Sequence, residues 1–275
     1  MNPFFAGAVL VVSVVAMIAV MLWNRRHAPE GGRFSDSDRA SGVFGFLGAG
    51  FVILLGFVIL LSFNTYEGAN LASENEATAV LDQFDATEAW PQAVRDRAQA
   101  QLICYGRSVI EQEWPAMQDS RSSSVTDGWA VELEETIRSA PGDSGAEDVA
   151  LTQWYDSVSQ REIGRRVRLL VAHGETPVLL WSLIIIAAVL VVGFVLLYAD
   201  PAEGVIAQAA MMGGVTALVV SSLLAVVVLA LPFANQSGSI LPVGMQFSLD
   251  TISSVLTKDG TVLPVLCDDL GVPTR

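Results

Sequence analysis

The sequence predicts an all-α membrane protein with four transmembrane helices and a helical extramembrane domain inserted between helices 2 and 3. The chain of 275 residues is 52% hydrophobic and only 16% charged, whereas about a quarter of the residues of a typical soluble domain are charged. Four uncharged stretches reach the length of about 20 residues that a helix needs to cross a bilayer. A segment of 112 residues, from 64 to 175, separates the second stretch from the third.

The membrane part is predicted in two blocks, residues 1–63 and 176–232. The spans within them are residues 2–23, 43–63, 177–199 and 205–231. We interpret the first span as a retained anchor, because Arg25 and Arg26 follow it and a signal peptide carries its positive charge in front. No Asp, Glu, Lys, Arg or His lies inside any span. Since a proton relay usually needs ionisable groups at that depth, a proton-coupled pump is not expected.

The third and fourth spans form an antiparallel hairpin, because only residues 199–204 separate them. The fourth span carries small residues at a spacing of four, which let another helix approach closely in a membrane. These residues are Ala209, Gly213, Ala217, Ser221 and Ala225. The ridge predicts packing inside one protomer, or else a subunit interface or a pore-facing stripe.

The segment 64–175 is too long for a loop without structure of its own, and its pattern indicates helices at residues 67–84, 91–117, 127–139 and 145–172. The second of these shows an amphipathic stripe that includes Leu102 and Tyr105, and Pro115 is expected to end or kink it. The segment holds 20 acidic residues against nine Arg, a net charge of −11. That balance excludes a basic nucleic-acid footprint.

The last 43 residues, 233–275, are predicted as a C-terminal tail. Its pattern is uneven, and Lys258, Asp259 and Gly260 could form a turn between two short strands. The chain shows no Ser-His-Asp order, phosphate-binding glycine loop or metal-ligand spacing. We therefore expect no catalytic residue, no metal site, no cofactor and no enzymatic activity.

Tyr105, Glu113 and Trp114 are the candidate motif of the domain. Glu113 could face a vestibule or bind a cation, but we expect Trp114 to pack and Glu113 to be solvated. Arg165, Arg166 and Arg168 could bind lipid head groups, although pairing with the domain's excess carboxylates is the expected role.

Four spans place the N-terminus, the domain and the tail on the same side of a multi-pass protein of the cell membrane. The positive-inside rule favours the extracytoplasmic side for them, because the first short loop contains four arginines, among them Arg25 and Arg26. The arginines before the third span, including Arg165, oppose this orientation. If the side is extracytoplasmic, a disulfide between Cys104 and Cys267 can form; two buried thiols are the alternative.

Motifs along nearly the whole chain resemble a bacterial four-helix family of unknown function that is described as bestrophin-like. The matching residues are Tyr66, Glu76, Ala77, Leu81, Pro91, Tyr105, Val109, Ile110, Glu113, Trp114, Pro115, Met117, Arg165, Arg166, Arg168, Leu169, Pro177, Trp181, Gly193, Phe194, Pro232, Phe233, Gly238, Ile240, Pro242 and Phe247. The tail beyond about Asp250 has no counterpart in this pattern.

The resemblance implies a homo-oligomeric channel, with the pentamer as one candidate, because bestrophins are pentameric anion channels and some bacterial relatives favour cations. It also implies that the second span lines the pore, with Phe51, Leu55 and Phe57 as candidates, and that the domain is cytoplasmic. That orientation contradicts the one favoured by the arginines.

The leading hypothesis is an oligomeric bestrophin-like ion channel, or a channel-related membrane protein, in the lipid bilayer. The alternative is a non-conducting, membrane-anchored scaffold or sensor whose acidic helical domain binds an unknown partner protein.

Overall fold

The computed structural model describes residues 2–29, 33, 34, 36–138, 145–174 and 178–274, and for Ser37 the backbone alone. Within this part of the chain the regular structure is helical. The helices are α1 (Pro3–Arg25), α2 (Ser37–Ala86), α3 (Gln92–Ser108), α4 (Trp114–Gln118), α5 (Ser124–Arg138), α6 (Gly145–Ala172), α7 (Val178–Leu196), α8 (Val205–Ala230) and α9 (Val243–Asp259). The predicted fold class is confirmed.

Within the described ranges, four helices are long and apolar enough to cross a membrane, and they are α1, α2, α7 and α8. Their apolar parts agree with the four predicted spans. The predicted start of the third span, Pro177, lies outside the described residues. The prediction of separate helices at 43–63 and 67–84 is wrong, because α2 runs through both as one helix of 50 residues. No Pro follows the second span to interrupt it, and Gly68 alone does not break a helix.

Contacts between residues group the chain into two units. The membrane unit comprises the described residues of Met1–Thr65, Thr176–Ala230 and Gln236–Gly238. The extramembrane unit comprises those of Tyr66–Glu175, Leu231–Asn235 and Ser239–Arg275. Most of the tail therefore packs with the domain rather than forming a separate segment.

The core of the extramembrane unit is formed by apolar faces of α2, α3, α5, α6 and α9. The predicted stripe of α3 points into it, since Leu102 and Tyr105 are fully buried. The two-strand interpretation of the tail is wrong, because residues Val243–Asp259 form α9. Gly260 ends this helix with a left-handed φ of 67°, a conformation that suits glycine. The predicted turn at Lys258–Gly260 is thus a helix C-terminus.

Candidate functional site

A cluster of buried charges lies inside the extramembrane unit, and we call Glu76, Glu113, Arg165 and Arg168, with Tyr105, the charge cluster. Glu76, Glu113 and Arg168 are at most 1% exposed, and Arg165 is half-buried. Burying ions costs several kcal/mol each unless they are paired and hydrogen-bonded. The four charges belong to α2, the turn before α4, and α6, so their pairing joins three parts of the chain.

A close crossing of α6 and α2 positions the arginines. At Gly164, a Cβ atom would lie 2.6 Å from the carbonyl oxygen of Ala72 and 3.0 Å from the amide nitrogen of Glu76. Only glycine lets the two backbones approach this closely. The next residue, Arg165, and Arg168, one turn further along α6, are thereby placed beside carboxylates of the unit.

A π-helical turn positions Glu113. Residues Val109–Glu113 form this turn between α3 and α4, and the amide N–H of Trp114 donates to the carbonyl oxygen of Val109. Pro115 has no N–H to donate, so the carbonyl that precedes it by four residues lacks its α-helical partner. Such turns are frequent at functional sites. Here the turn directs both Val109 and Glu113 into the interior, where both are fully buried.

Arg168 is the centre of the charge cluster. Its Nε and Nη2 atoms donate to the two oxygens of Glu76 at 2.8 and 2.9 Å. The Nη2 atom also donates to Oε2 of Glu113 at 2.7 Å. Its guanidinium carbon lies 5.0 Å from the ring centroid of Trp114, and the hydroxyl of Tyr105 donates to Glu76 at 2.7 Å. The planar guanidinium thus holds two carboxylates and one aromatic ring at once.

Glu113 is held by two arginines. Nε of Arg165 lies 3.1 Å from both oxygens of Glu113, and Nη2 of Arg165 also donates to Asp127 at 2.7 Å. Burial alone would raise the pKa of Glu113, but the hydrogen bonds and charges of Arg165 and Arg168 outweigh burial and lower it. Glu113 is therefore ionised at neutral pH, and our expectation that it is solvated was wrong.

Burial and the charge of Glu76 raise the pKa of Tyr105 well above its ordinary value. The hydroxyl therefore stays protonated and serves as a donor. Every carboxylate of the charge cluster is occupied by a cation or a donor, which leaves none free as a general base. The described residues contain no group of His, Cys, Asp or Glu that could hold a metal ion. The arrangement is suited to holding helices in register.

The structure joins Cys104 and Cys267, with the two sulfurs 2.00 Å apart. The tail around Cys267 follows α3 and α5 closely. Trp129 donates from Nε1 to the carbonyl oxygen of Gly271 at 2.6 Å, and Gln112 donates to that of Leu270. Gly271 has a φ of 74° and leaves no room for a Cβ against Ser108. These contacts attach the chain's end to the extramembrane unit.

The small residues of the α8 ridge differ in burial along the helix. Gly213 is buried, and a Cβ atom there would lie 3.4 Å from a methyl group of Val14 in α1. Ala209 and Ala217 are half-buried. Ser221 and Ala225, further along, are exposed. The first part of the ridge packs against α1 within the protomer, and the second part is open.

The three pore candidates of α2 also differ in burial. Phe51 and Leu55 are buried against residues of α7 and α8, including Ile184 and Val219, whereas Phe57 is 54% exposed. Phe51 and Leu55 face the neighbouring helices of their own protomer. Both side chains are therefore covered by helices of one protomer, and the pore assignment stays a prediction.

Sequence reasoning missed a polar network at the loop end of the membrane unit. Arg25 donates to Oε1 of Gln208 at 2.6 Å and to the carbonyl oxygens of Pro201 and Glu203. Asn24 donates to the carbonyl oxygen of Leu196 at 2.6 Å. The signal was present, since Gln208 is the most polar residue within a span and needs a partner there. Its partner was hidden by the long separation along the chain.

These features define a multi-pass helical membrane protein with a helical extramembrane unit. The chain belongs to the Bestrophin-like family, whose Bestrophin-like domain matches residues 6–237. This confirms the resemblance.

Solved structures are similar in fold. A variant of a bacterial bestrophin homologue from Klebsiella pneumoniae has a TM-score of 0.70 and 11% identity, covering 92% of this chain and 99% of that one. The Klebsiella homologue solved by zinc phasing has a TM-score of 0.65 and 14% identity, covering 94% and 99%. A structure described as a membrane protein has a TM-score of 0.66 and 13% identity, covering 94% and 98%. No curated protein matches the chain.

Proposed function

We propose that the chain forms a homo-oligomeric ion channel of the cell membrane, with a pore lined by the exposed face of α2. Membership of the Bestrophin-like family supports this, because bestrophins are pentameric channels. Family membership supports a homo-oligomer, and the number of subunits is part of the proposal. The proposed function does not include catalysis.

One observation carries the proposal: α2 has an apolar face that the other described helices of its unit leave open. Phe46 is 80% exposed, Ile53 74%, Phe57 54% and Leu60 56%. They recur at intervals of seven, four and three residues, so they lie on one side of the helix. A ring of such residues around an axis could gate by dewetting, without an ionisable group in the membrane.

Within this proposal the pore-facing residues differ from the three candidates that the resemblance implied. Phe57 stays on the proposed face, while Phe51 and Leu55 support it from behind by packing on α7 and α8. Ile53 becomes the central candidate, because it is the most exposed aliphatic side chain in this part of α2.

The test begins with oligomeric state in detergent, measured by native mass spectrometry. A monomer or dimer would contradict the proposal, because four apolar helices cannot enclose a water path alone. Purified protein is then studied in planar bilayers, where unitary currents are expected. A stable oligomer that stays silent under both cation and anion gradients would favour the non-conducting scaffold or sensor whose acidic domain binds a partner.

Cysteine accessibility tests the pore face separately. In Ile53→Cys, a charged, water-soluble methanethiosulfonate reagent should change the current within seconds of addition. The matched control is Val189→Cys in α7, which is 64% exposed and should face lipid. Equal modification of both, or of neither, would contradict the assignment of α2 to the pore.

We place the extramembrane unit and both termini on the extracytoplasmic side, which is opposite to the orientation that the resemblance implies. The disulfide supports this, because such bonds persist in oxidising compartments. The arginines of the first short loop also support it through the positive-inside rule; they are Arg25, Arg26, Arg33 and Arg39. Arg165 and Arg168, which opposed it, have another role inside the charge cluster. Labelling of an introduced tail cysteine by a membrane-impermeant reagent in intact cells tests the orientation, and labelling only after lysis would reverse it.

A further inference from the structure

Arg161 in α6 is a buried cation that has no partner of opposite charge among the described residues. It is 3% exposed, and its Nη1 atom has no hydrogen-bond partner among the described residues. Its guanidinium carbon lies 4.7 Å from the ring centroid of Tyr105, a cation–π contact. No described carboxylate lies within the 4.0 Å of an ion pair. A buried charge left in this state is strongly unfavourable.

Two buried amides lie in the extramembrane unit as well. Gln83 in α2 and Gln101 in α3 are fully buried, and in the described part of the chain neither the oxygen nor the nitrogen of either amide has a hydrogen-bond partner. Buried polar side chains are nearly always hydrogen-bonded. Together with Arg161 Nη1, these amides account for five of the six buried polar side-chain atoms that lack a hydrogen-bond partner among the described residues of this unit.

Contacts on either side locate these three residues between the same helices. At one end, Tyr105 donates to Glu76 and Arg161 stacks on Tyr105. At the other end, Gln99 donates to Thr87, and the rings of Trp90 and Trp154 lie 5.1 Å apart.

The antiparallel helices α2 and α3 are in contact at both of these ends. Gln83 and Gln101 lie along the helices in the stretch between the two contacts. The position of Arg161, between Trp154 and Arg168 on α6, places it in that stretch as well. The amide groups of Gln83 and Gln101 and the guanidinium of Arg161 therefore lie in one layer of the interior, where they bring hydrogen-bond donors and a positive charge together.

We propose that a small inorganic anion, such as chloride, binds in this layer, which we call the Arg161 site. Arg161 Nη1 and the amide N–H groups of Gln83 and Gln101 donate to the anion, and accompanying water meets the amide oxygens. The anion supplies the negative charge that Glu76 and Glu113, already paired with Arg168 and Arg165, do not provide. This site is separate from the proposed pore and requires no conduction.

The first experiment measures thermal unfolding of the full-length protein in detergent after dialysis into sodium gluconate. Sodium chloride then replaces gluconate at constant ionic strength and pH. We expect a saturable rise of the unfolding temperature in chloride, because a ligand that binds only the folded state stabilises it. The rise should be lost in Arg161→Met and kept in Arg166→Met, whose arginine is exposed on the same helix. In Gln101→Leu, half-saturation should need about tenfold more chloride, the effect of one lost hydrogen bond.

Equal unfolding temperatures of the wild-type protein in both salts would overturn the proposal. So would a chloride response that persists in Arg161→Met. Because that variant could fail to fold, a crystal of the wild-type protein soaked in bromide gives an independent result. An anomalous peak at hydrogen-bond distance from Arg161 Nη1 supports the site. Water alone at that position, or a peak only elsewhere, refutes it. Neither readout depends on channel activity.

Discussion

Replacing Glu113 by Gln removes one negative charge from the charge cluster and keeps a side chain of the same shape. Arg165 and Arg168 then face each other across a neutral group, while Arg168 retains only Glu76 as an anionic partner. Breaking a buried ion pair by removing one partner costs about 3–5 kcal/mol. Since the amide oxygen still accepts one hydrogen bond, we expect the lower end, about 3 kcal/mol.

The assay is thermal unfolding of purified protein in detergent at neutral pH. For a protein of this size, 1 kcal/mol changes the melting temperature by about 2–4 °C, so Glu113→Gln should lower it by about 6–12 °C. The matched control is Glu134→Gln, which breaks an exposed ion pair with Arg138 on α5. Exposed pairs of this spacing contribute about 0.3–0.5 kcal/mol. If the two variants melt within a degree or two of each other, the reasoning about the cluster is refuted.

The pH dependence of this difference follows from the lowered pKa of Glu113. Its folded-state pKa lies below the ordinary value of 4.5. A carboxylate with a depressed pKa contributes stability above its unfolded pKa, and this stability is lost as the pH falls through the folded value. The gap between the wild-type protein and Glu113→Gln should therefore be complete at neutral pH and shrink below about pH 4.5. A gap that widens as the pH falls would contradict this sign.

Two further changes test the packing of the extramembrane unit. Gly164→Ala should lower the melting temperature by an amount that corresponds to about 1–3 kcal/mol, because the new Cβ overlaps the backbone of α2. The control Gly128→Ala, whose Cβ meets nothing within 4 Å, should raise the melting temperature slightly. A lower melting temperature in both variants would contradict the explanation by close backbone approach. Mass spectrometry of an unreduced digest should find the peptides of Cys104 and Cys267 linked. Cys267→Ser should lower the free energy of unfolding by about 2–5 kcal/mol. Two separate thiol peptides would show that the bond is absent in the isolated protein.

The spans could be predicted from the sequence because their signal is local. Each has at least 19 consecutive helical residues and a high hydropathy, and no distant contact is needed to recognise it. The extent of α2 could not be predicted in the same way. Its apolar and polar parts have different compositions, and a change of composition resembles a boundary although the backbone continues through Asn64 and Thr65.

The charge cluster was only half visible in the sequence. Glu113 and the arginines of α6 stood out as motifs, and pairing of the arginines with carboxylates was the expected role. Glu76 was seen only within the family pattern. Which carboxylate pairs with which arginine depends on contacts between residues 52 to 92 positions apart. A π-helical turn has no strong sequence signal either, so the inward direction of Glu113 could not be derived.

A buried cluster of charges needs a reason other than stability, because desolvation offsets most of the attraction between the ions. Specific geometry is a sufficient reason here. Each oxygen of Glu76 and Glu113 receives a donor from α6 or α3, so a shift of one helix by a turn would leave a buried ion unpaired. The pairing therefore selects one register of α2, α3, α6 and the π-helical turn. Arg161 is an exception, because its position leaves it beside an aromatic ring and without a carboxylate partner among the described residues. A mobile anion from solution gains most by binding beside a buried cation whose charge the described residues do not balance.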